Sequence, residues 1–238
     1  MNRVFRWYVF LALLVVPLSA EEPSRYIKLF EDAYRRASTL RATFIEQYSE
    51  GGRVERVESG VAYFRRPGKM RWDYESPEKN LFLVDGKTAW FYVPGDHTVT
   101  RVPAKQSTDW RTPLALLAGE MKLSRICARV DLATDEKQDK DGDVVLSCPL
   151  KGSETAADPA SKNGAPHAKR DLLLLEVAQD TNQLVRIVLR EAGGIEIEFK
   201  FKDWQFDPPV PDSFFRFEVP LGVAIVNGEL PSESKSLN

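Results

Sequence analysis

Histidine and cysteine, the side chains most often recruited for chemistry near neutral pH, occur only twice each in 238 residues. His97 has Asp96 beside it, but neighbouring residues on a strand point to opposite faces, so that carboxylate is badly placed to orient the ring. No candidate nucleophile completes a triad with it. His167 lies in a segment of low complexity and reads as solvated. The chain carries no nucleophile elbow, no phosphate-cradling glycine loop and no HExxH pair. So few His and Cys residues nearly exclude a metal site built from them alone. Acidic pairs such as Glu21-Glu22 and Asp171/Glu176 read as ordinary surface charge. The expectation is a non-enzyme with no catalytic residue, no metal and no cofactor.

Arg3 and Arg6 precede an apolar run over 7–18, which Ser19-Ala20 and then Glu21-Glu22 follow. That order is a signal peptide's, with cleavage expected after Ala20. At about 12 residues the run is short of the ~20 that span a bilayer, although an uncleaved anchor is the rival reading. No cysteine adjoins the cleavage point, so a lipid anchor is not expected there. Export puts Cys127 and Cys148 in an oxidising compartment, where pairing is allowed. They flank two strand-like pieces around the polar tip Lys137-Gln138-Asp139-Lys140-Asp141-Gly142, so a disulfide across that hairpin is plausible; two buried free thiols are the alternative. Lys plus Arg (33) nearly balance Asp plus Glu (35), which leaves no net field to attract nucleic acid.

The elements follow from periodicity. Tyr26, Leu29, Phe30, Ala33, Tyr34, Ala37 and Leu40 form one helical stripe, with Pro23 and Ser24 as its start. From Ala42 the period becomes two, clearest where Met70, Trp72 and Tyr74 alternate with Arg71 and Asp73. Further strands are predicted over 81–84, 88–93, 99–102, 172–177, 184–189 and from Ile195 onward, separated by Asp85-Gly86, Pro94-Gly95-Asp96 and Gly193-Gly194 turns. About ten short strands joined by tight turns mean an antiparallel meander large enough to curl into a partial barrel. Thr112 as N-cap, Pro113 at N1 and Gly119 as a stop delimit a short apolar helix, stable only on a sheet face or across its mouth. Segment 151–169 reads as a flexible insertion and 229–238 as a frayed tail. One domain over 21–228 is expected.

Two features remain. Aromatic residues crowd the stretch 63–92, where they either build a dense core or line an apolar cavity under an incomplete cover. Arg65-Arg66 adjoins a Pro67-Gly68 turn. By default such a pair is solvated, but a buried arginine can gather carbonyls with its five donors and hold two elements together.

Phe64-Arg65-Arg66-Pro67-Gly68-Lys69-Met70-Arg71-Trp72-Asp73-Tyr74, then Pro77, then 83–92 (LVDGKTAWFY) resembles the periplasmic outer-membrane lipoprotein carrier family, LolA. Residues 40–47 (LRATFIEQ) look like that family's opening, 112–117 (TPLALL) like its lid, and 207–223 like its C-terminal end. The insertion at 151–169 and the two cysteines depart from the common pattern. The resemblance implies a mainly β, open antiparallel half-barrel with a helical lid over an apolar cavity. It implies a periplasmic, monomeric chaperone that collects acylated lipoproteins from an inner-membrane ABC exporter and passes them to an outer-membrane acceptor. Arg66 is the lid latch that it implies, bonded to lid backbone. Cavity candidates are Phe44, Tyr63, Met70, Trp72, Tyr74, Leu83, Trp90, Leu114, Leu116 and Leu117. The alternative is a related lipid-binding or envelope-sensing module with no transport role.

Overall fold

The computed structural model describes residues 23–106, 114, 116–119, 122–140, 142–151, 171–191 and 193–228. The expected signal peptide at 1–20, the helix start at Thr112 and Pro113, the insertion at 151–169 (save Lys151) and the tail at 229–238 lie outside the described residues.

Helix α1 (Pro23–Arg35) buries Tyr26, Phe30 and Tyr34, one residue per turn on a single face. The predicted stripe ran on to Leu40, but the helix stops earlier. The Asp207 carboxylate accepts hydrogen bonds from the backbone N–H groups of Ser38 and Thr39, and the Ser38 carbonyl accepts one from the Arg66 N–H. Leu40 therefore belongs to the first strand.

Strands β1 (Thr39–Glu50), β2 (Arg53–Arg65), β3 (Lys69–Ser76), β4 (Leu81–Val84), β5 (Thr88–Val93) and β6 (Thr98–Pro103) form one meander. A second comprises β7 (Asp131–Leu132), β8 (Val144–Pro149), β9 (Leu172–Val177), β10 (Leu184–Arg190) and β11 (Ile195–Phe206). The two join where β11 pairs antiparallel with β1. The short helix α2 (Leu123–Ile126) lies between them in sequence. The twelfth strand, β12 (Ala224–Asn227), pairs with β6. The sheet order is β12-β6-β5-β4-β3-β2-β1-β11-β10-β9-β8-β7, and its two ends do not pair, so the half-barrel is open.

Two expectations need correcting. The described residues form twelve strands rather than about ten, and the sheet is not wholly antiparallel, because β12 runs parallel to β6. A parallel neighbour needs a long crossover. Here the connection from β6 to β12 is the whole of 104–223, whose last part, 207–223, crosses the convex face before β12 begins.

Cross-strand register sorts the side chains between faces. Leu40, Phe64, Met70, Val84, Ala89 and Val102 form one concave row; Ala62, Trp72, Phe82 and Phe91 form the next. In a third row Gly60 stands between Phe44 and Tyr74. A Cβ on Gly60 would sit 2.0 Å from the Asp73 carbonyl oxygen, so only glycine permits this approach of β2 to β3. The missing side chain also leaves the Phe44 and Tyr74 rings in contact, 5.1 Å between centroids.

Candidate functional site

The concave face and its cover are the part of the molecule suited to an apolar ligand. Seven of the ten predicted cavity residues meet there: Phe44, Met70, Trp72, Tyr74, Leu114 and Leu117 are buried in one continuous cluster, and Leu116 packs against it. Trp72 is the centre, with Phe44, Phe199, Phe64 and Phe201 at 4.8, 5.4, 5.6 and 6.1 Å. Phe30 and Tyr34 of α1 and Phe199, Phe201 and Trp204 of β11 belong to the same cluster, although none of them is among the ten cavity candidates. The alternation of Ile197, Phe199 and Phe201 marked a strand, but nothing local said that β11 lies beside β1.

Tyr63, Leu83 and Trp90 are corrections. Register places all three in a convex row running Arg41, Tyr63, Arg71, Leu83, Trp90, Arg101. There Tyr63 packs on Phe214 at 4.8 Å and Trp90 on Phe217 at 5.3 Å, while the Arg71 guanidinium lies 4.2 Å over the Phe214 ring. Leu83 is fully buried between Arg71 and Trp90. Each of the three adjoins an apolar residue that faces the other way (Phe64, Phe82 and Val84, Ala89 and Phe91), so the sequence shows no alternation from which to read their face.

Arg66 sits at the seam between the two parts of the cover. Its Nη1 donates to the Arg35 carbonyl and its Nη2 to the Tyr34 carbonyl. Among the described residues its guanidinium thus bonds the C-terminal end of α1, not the lid backbone that the resemblance implied. A helix leaves its last carbonyls unpaired at the negative end of its dipole, which makes them strong acceptors for a guanidinium. Segment 114–119 meets Arg66 differently. Its described residues make i→i+3 turns, and it ends at Gly119, whose φ is +79°. A Cβ there would lie 2.5 Å from Arg66 Nε. The Gly68 N–H also reaches the Ala118 carbonyl at 3.5 Å. Burial lowers the Arg66 pKa, and the neighbouring Arg35 charge adds to that.

The other side of α1 is tied by Tyr34, whose hydroxyl accepts the Leu184 N–H at 2.8 Å; burial drives the Tyr34 pKa up. The helix therefore spans the concave face between the β2–β3 turn and β10. Asp207 accepts from the Ser38 hydroxyl as well as from the two backbone N–H groups, and these bonds hold its carboxyl below the usual range.

Among the described residues, aromatic rings pack closely at the centre of the concave face, around Trp72. At the seam lies a crevice of about 150 Å³ lined by Phe30, Tyr34, Arg66, Leu116, Leu117 and Gly119. Ligand pockets run to roughly 300–1,000 Å³. A larger open trough of about 560 Å³ lies outside this interior, between α1 and α2.

Cys127, at the end of α2, is disulfide-bonded to Cys148 of β8. His97 ends the 94–96 turn with φ of 52°, and its carbonyl accepts the Ala224 N–H at the start of β12. Among the described residues no helix is long and apolar enough to cross a membrane.

The family model described as "Outer membrane lipoprotein carrier protein LolA" matches residues 35–218. An outer-membrane lipoprotein carrier protein of Nitrosomonas europaea is 35% identical over 215 residues, covering 90% of this chain and 93% of that protein. Its counterpart from Methylococcus capsulatus is 29% identical over 86% of this chain and 94% of its own length. The fold is also that of an uncharacterized conserved protein from Thermus thermophilus, with a TM-score of 0.52 at 13% identity over 86% of this chain and 98% of that one. The half-barrel, the aromatic concave wall and the match over 35–218 agree, and the chain belongs to the LolA family of outer-membrane lipoprotein carrier proteins.

Proposed function

We propose that the protein is a periplasmic chaperone that shields the acyl chains of lipoproteins released from the inner membrane and delivers them to the outer membrane. In this reading an inner-membrane ABC exporter loads it and an outer-membrane acceptor unloads it. The observation that carries the reading is the construction of the concave face: a wall of buried aromatic residues under α1 and segment 114–119, with Arg66 wedged between the two.

Magnitudes favour such a device. A charge-assisted hydrogen bond contributes about 1.5–3 kcal/mol. Burying a methylene contributes about 0.8 kcal/mol. Two Arg66 bonds are therefore offset by roughly four to eight methylenes, fewer than a dozen-carbon acyl chain brings. The remaining methylenes are available to displace the packed rings. Release follows when an acceptor offers the chains a better apolar site.

Arg66→Leu tests the latch. The variant is expected to keep cargo bound and to release several-fold less of it to acceptor vesicles, with cargo read by mass spectrometry of what copurifies. Release at the normal rate would refute the latch. Copurification of free lipid with no acylated protein would favour the lipid-binding or sensing module.

A further inference from the structure

The concave wall holds a buried polar atom at its centre, on Trp72. Trp72 is fully buried, and its Nε1 has no hydrogen-bond partner among the described residues. Among the described residues the rings packed on it are phenylalanines: Phe44, Phe64, Phe199 and Phe201. A buried donor left in this state is unfavourable, and a phenylalanine at the same place would carry no such donor. The level it occupies is also not wholly apolar. Two residues along the same face, Tyr74 packs on the same Phe44 ring at 5.1 Å and donates its hydroxyl to Glu46 Oε2 at 2.7 Å. Glu46 is itself only 1% exposed.

We infer that the Trp72 indole N–H is a ligand-reading donor, serving the carbonyl oxygen of an acyl linkage, ester or amide, when a chain occupies the concave face. The inference deepens the carrier reading and rests on it. An indole N–H can only donate, so the ligand atom that meets it must be an acceptor. In an acyl lipid the acceptor attached directly to the hydrocarbon is the linkage carbonyl. Lodging the chain among Phe44, Phe64, Phe199 and Phe201 brings that oxygen into an interior where no water competes for it. A carbonyl-free chain of equal length would bury the same hydrocarbon and leave the donor orphaned. The site therefore selects acyl lipids over alkyl ones and sets how deep the chain runs.

The test uses the full chain, an apolar fluorophore bound to it, and two competitors of equal chain length: a diacylglycerol and its dialkyl ether analogue. The diacyl compound is expected to displace the fluorophore about three- to tenfold more tightly, the ratio that one net hydrogen bond gives. Trp72→Phe should bind both compounds and lose the preference. A carbon-13 label in the ester carbonyl gives a second readout on the unaltered protein, a shift of its infrared stretch to lower frequency on binding. Equal displacement by both compounds, with no shift, overturns the donor role and leaves the carrier reading standing. A preference that survives in Trp72→Phe overturns the assignment to Trp72. Failure of both compounds to displace the fluorophore overturns the carrier reading together with this inference.

Discussion

The concave and convex faces of the half-barrel are covered by the same chemistry, arginines and aromatic rings, yet the two covers are held very differently. On the concave side α1 rests on rings through its buried face, and its ties among the described residues include Arg66 to two carbonyls at its end, Tyr34 to Leu184, and Gln179 to the Tyr26 hydroxyl. On the convex side segment 207–223 is strapped at several points. Arg65 bonds Asp212 and the Val210 carbonyl, Arg71 bonds the Phe214 carbonyl at 3.0 Å and stacks on its ring, and β12 completes a ladder with β6. Over β8 to β11 the convex face is sealed instead by ion pairs, Glu176–Arg186 at 2.6 Å and Arg190–Glu196 at 2.6 Å, above a small apolar cluster of Val145, Leu174 and Val188. Aromatic content alone does not mark a binding face. A cover that rests mainly on an apolar wall can be lifted by a ligand that replaces the lost burial, whereas one held by a strand ladder must also break that ladder.

The contrast predicts a graded set of effects. Phe44→Ala removes a ring from the centre of the concave wall and should cost about 3–5 kcal/mol in urea unfolding. It should also weaken binding of an apolar fluorophore. Trp90→Ala, the matching change on the strapped face, should leave fluorophore binding unaltered, since its ring meets Phe217 and not the ligand wall. Equal loss of binding in both would erase the distinction between the faces.

Reduction of Cys127–Cys148, which closes a loop with a sequence separation of 21, should lower stability by about 3 kcal/mol. A midpoint that does not move under reductant would mean that α2 and β8 stay together without the bond.

The smallest effect concerns Asp207, where the two covers touch: it opens the convex segment and accepts from Ser38 and Thr39 just past α1. Its folded pKa lies below the ordinary carboxylate value. Its contribution is therefore complete above about pH 4 and fades as pH falls through the depressed value. Asp207→Asn should be less stable than the parent near neutrality and indistinguishable from it in stronger acid. A stability gap that persists at low pH would show that the carboxylate charge is not what matters.

How far the residues announced this arrangement depends on whether polar neighbours kept the alternation visible. Met70, Trp72 and Tyr74 are separated by Arg71 and Asp73, so their shared face could be read directly, and all three lie on the concave wall. Tyr63, Leu83 and Trp90 stand in runs with apolar neighbours on both faces, because the strap buries the convex side too. Arg66 was recognisable as a residue able to gather carbonyls; that its acceptors would be Tyr34 and Arg35 depended on where α1 ends. Gly60 gave no local sign that it separates Phe44 from Tyr74.

The sequence by itself determined the elements: period-two strands, tight turns, one amphipathic helix, and the blocks that place the chain among lipoprotein carriers. These are local properties, governed by side-chain spacing and turn chemistry within a few residues. The tertiary structure alone decided which face of each strand would be covered and by what, that β11 would return beside β1 and β12 beside β6, and that α1 would lie across the concave aromatic wall. Those outcomes rest on pairings between residues more than a hundred positions apart, such as Phe44 with Phe201 and Asp207 with Ser38, whose partners come together only once the sheet has curled.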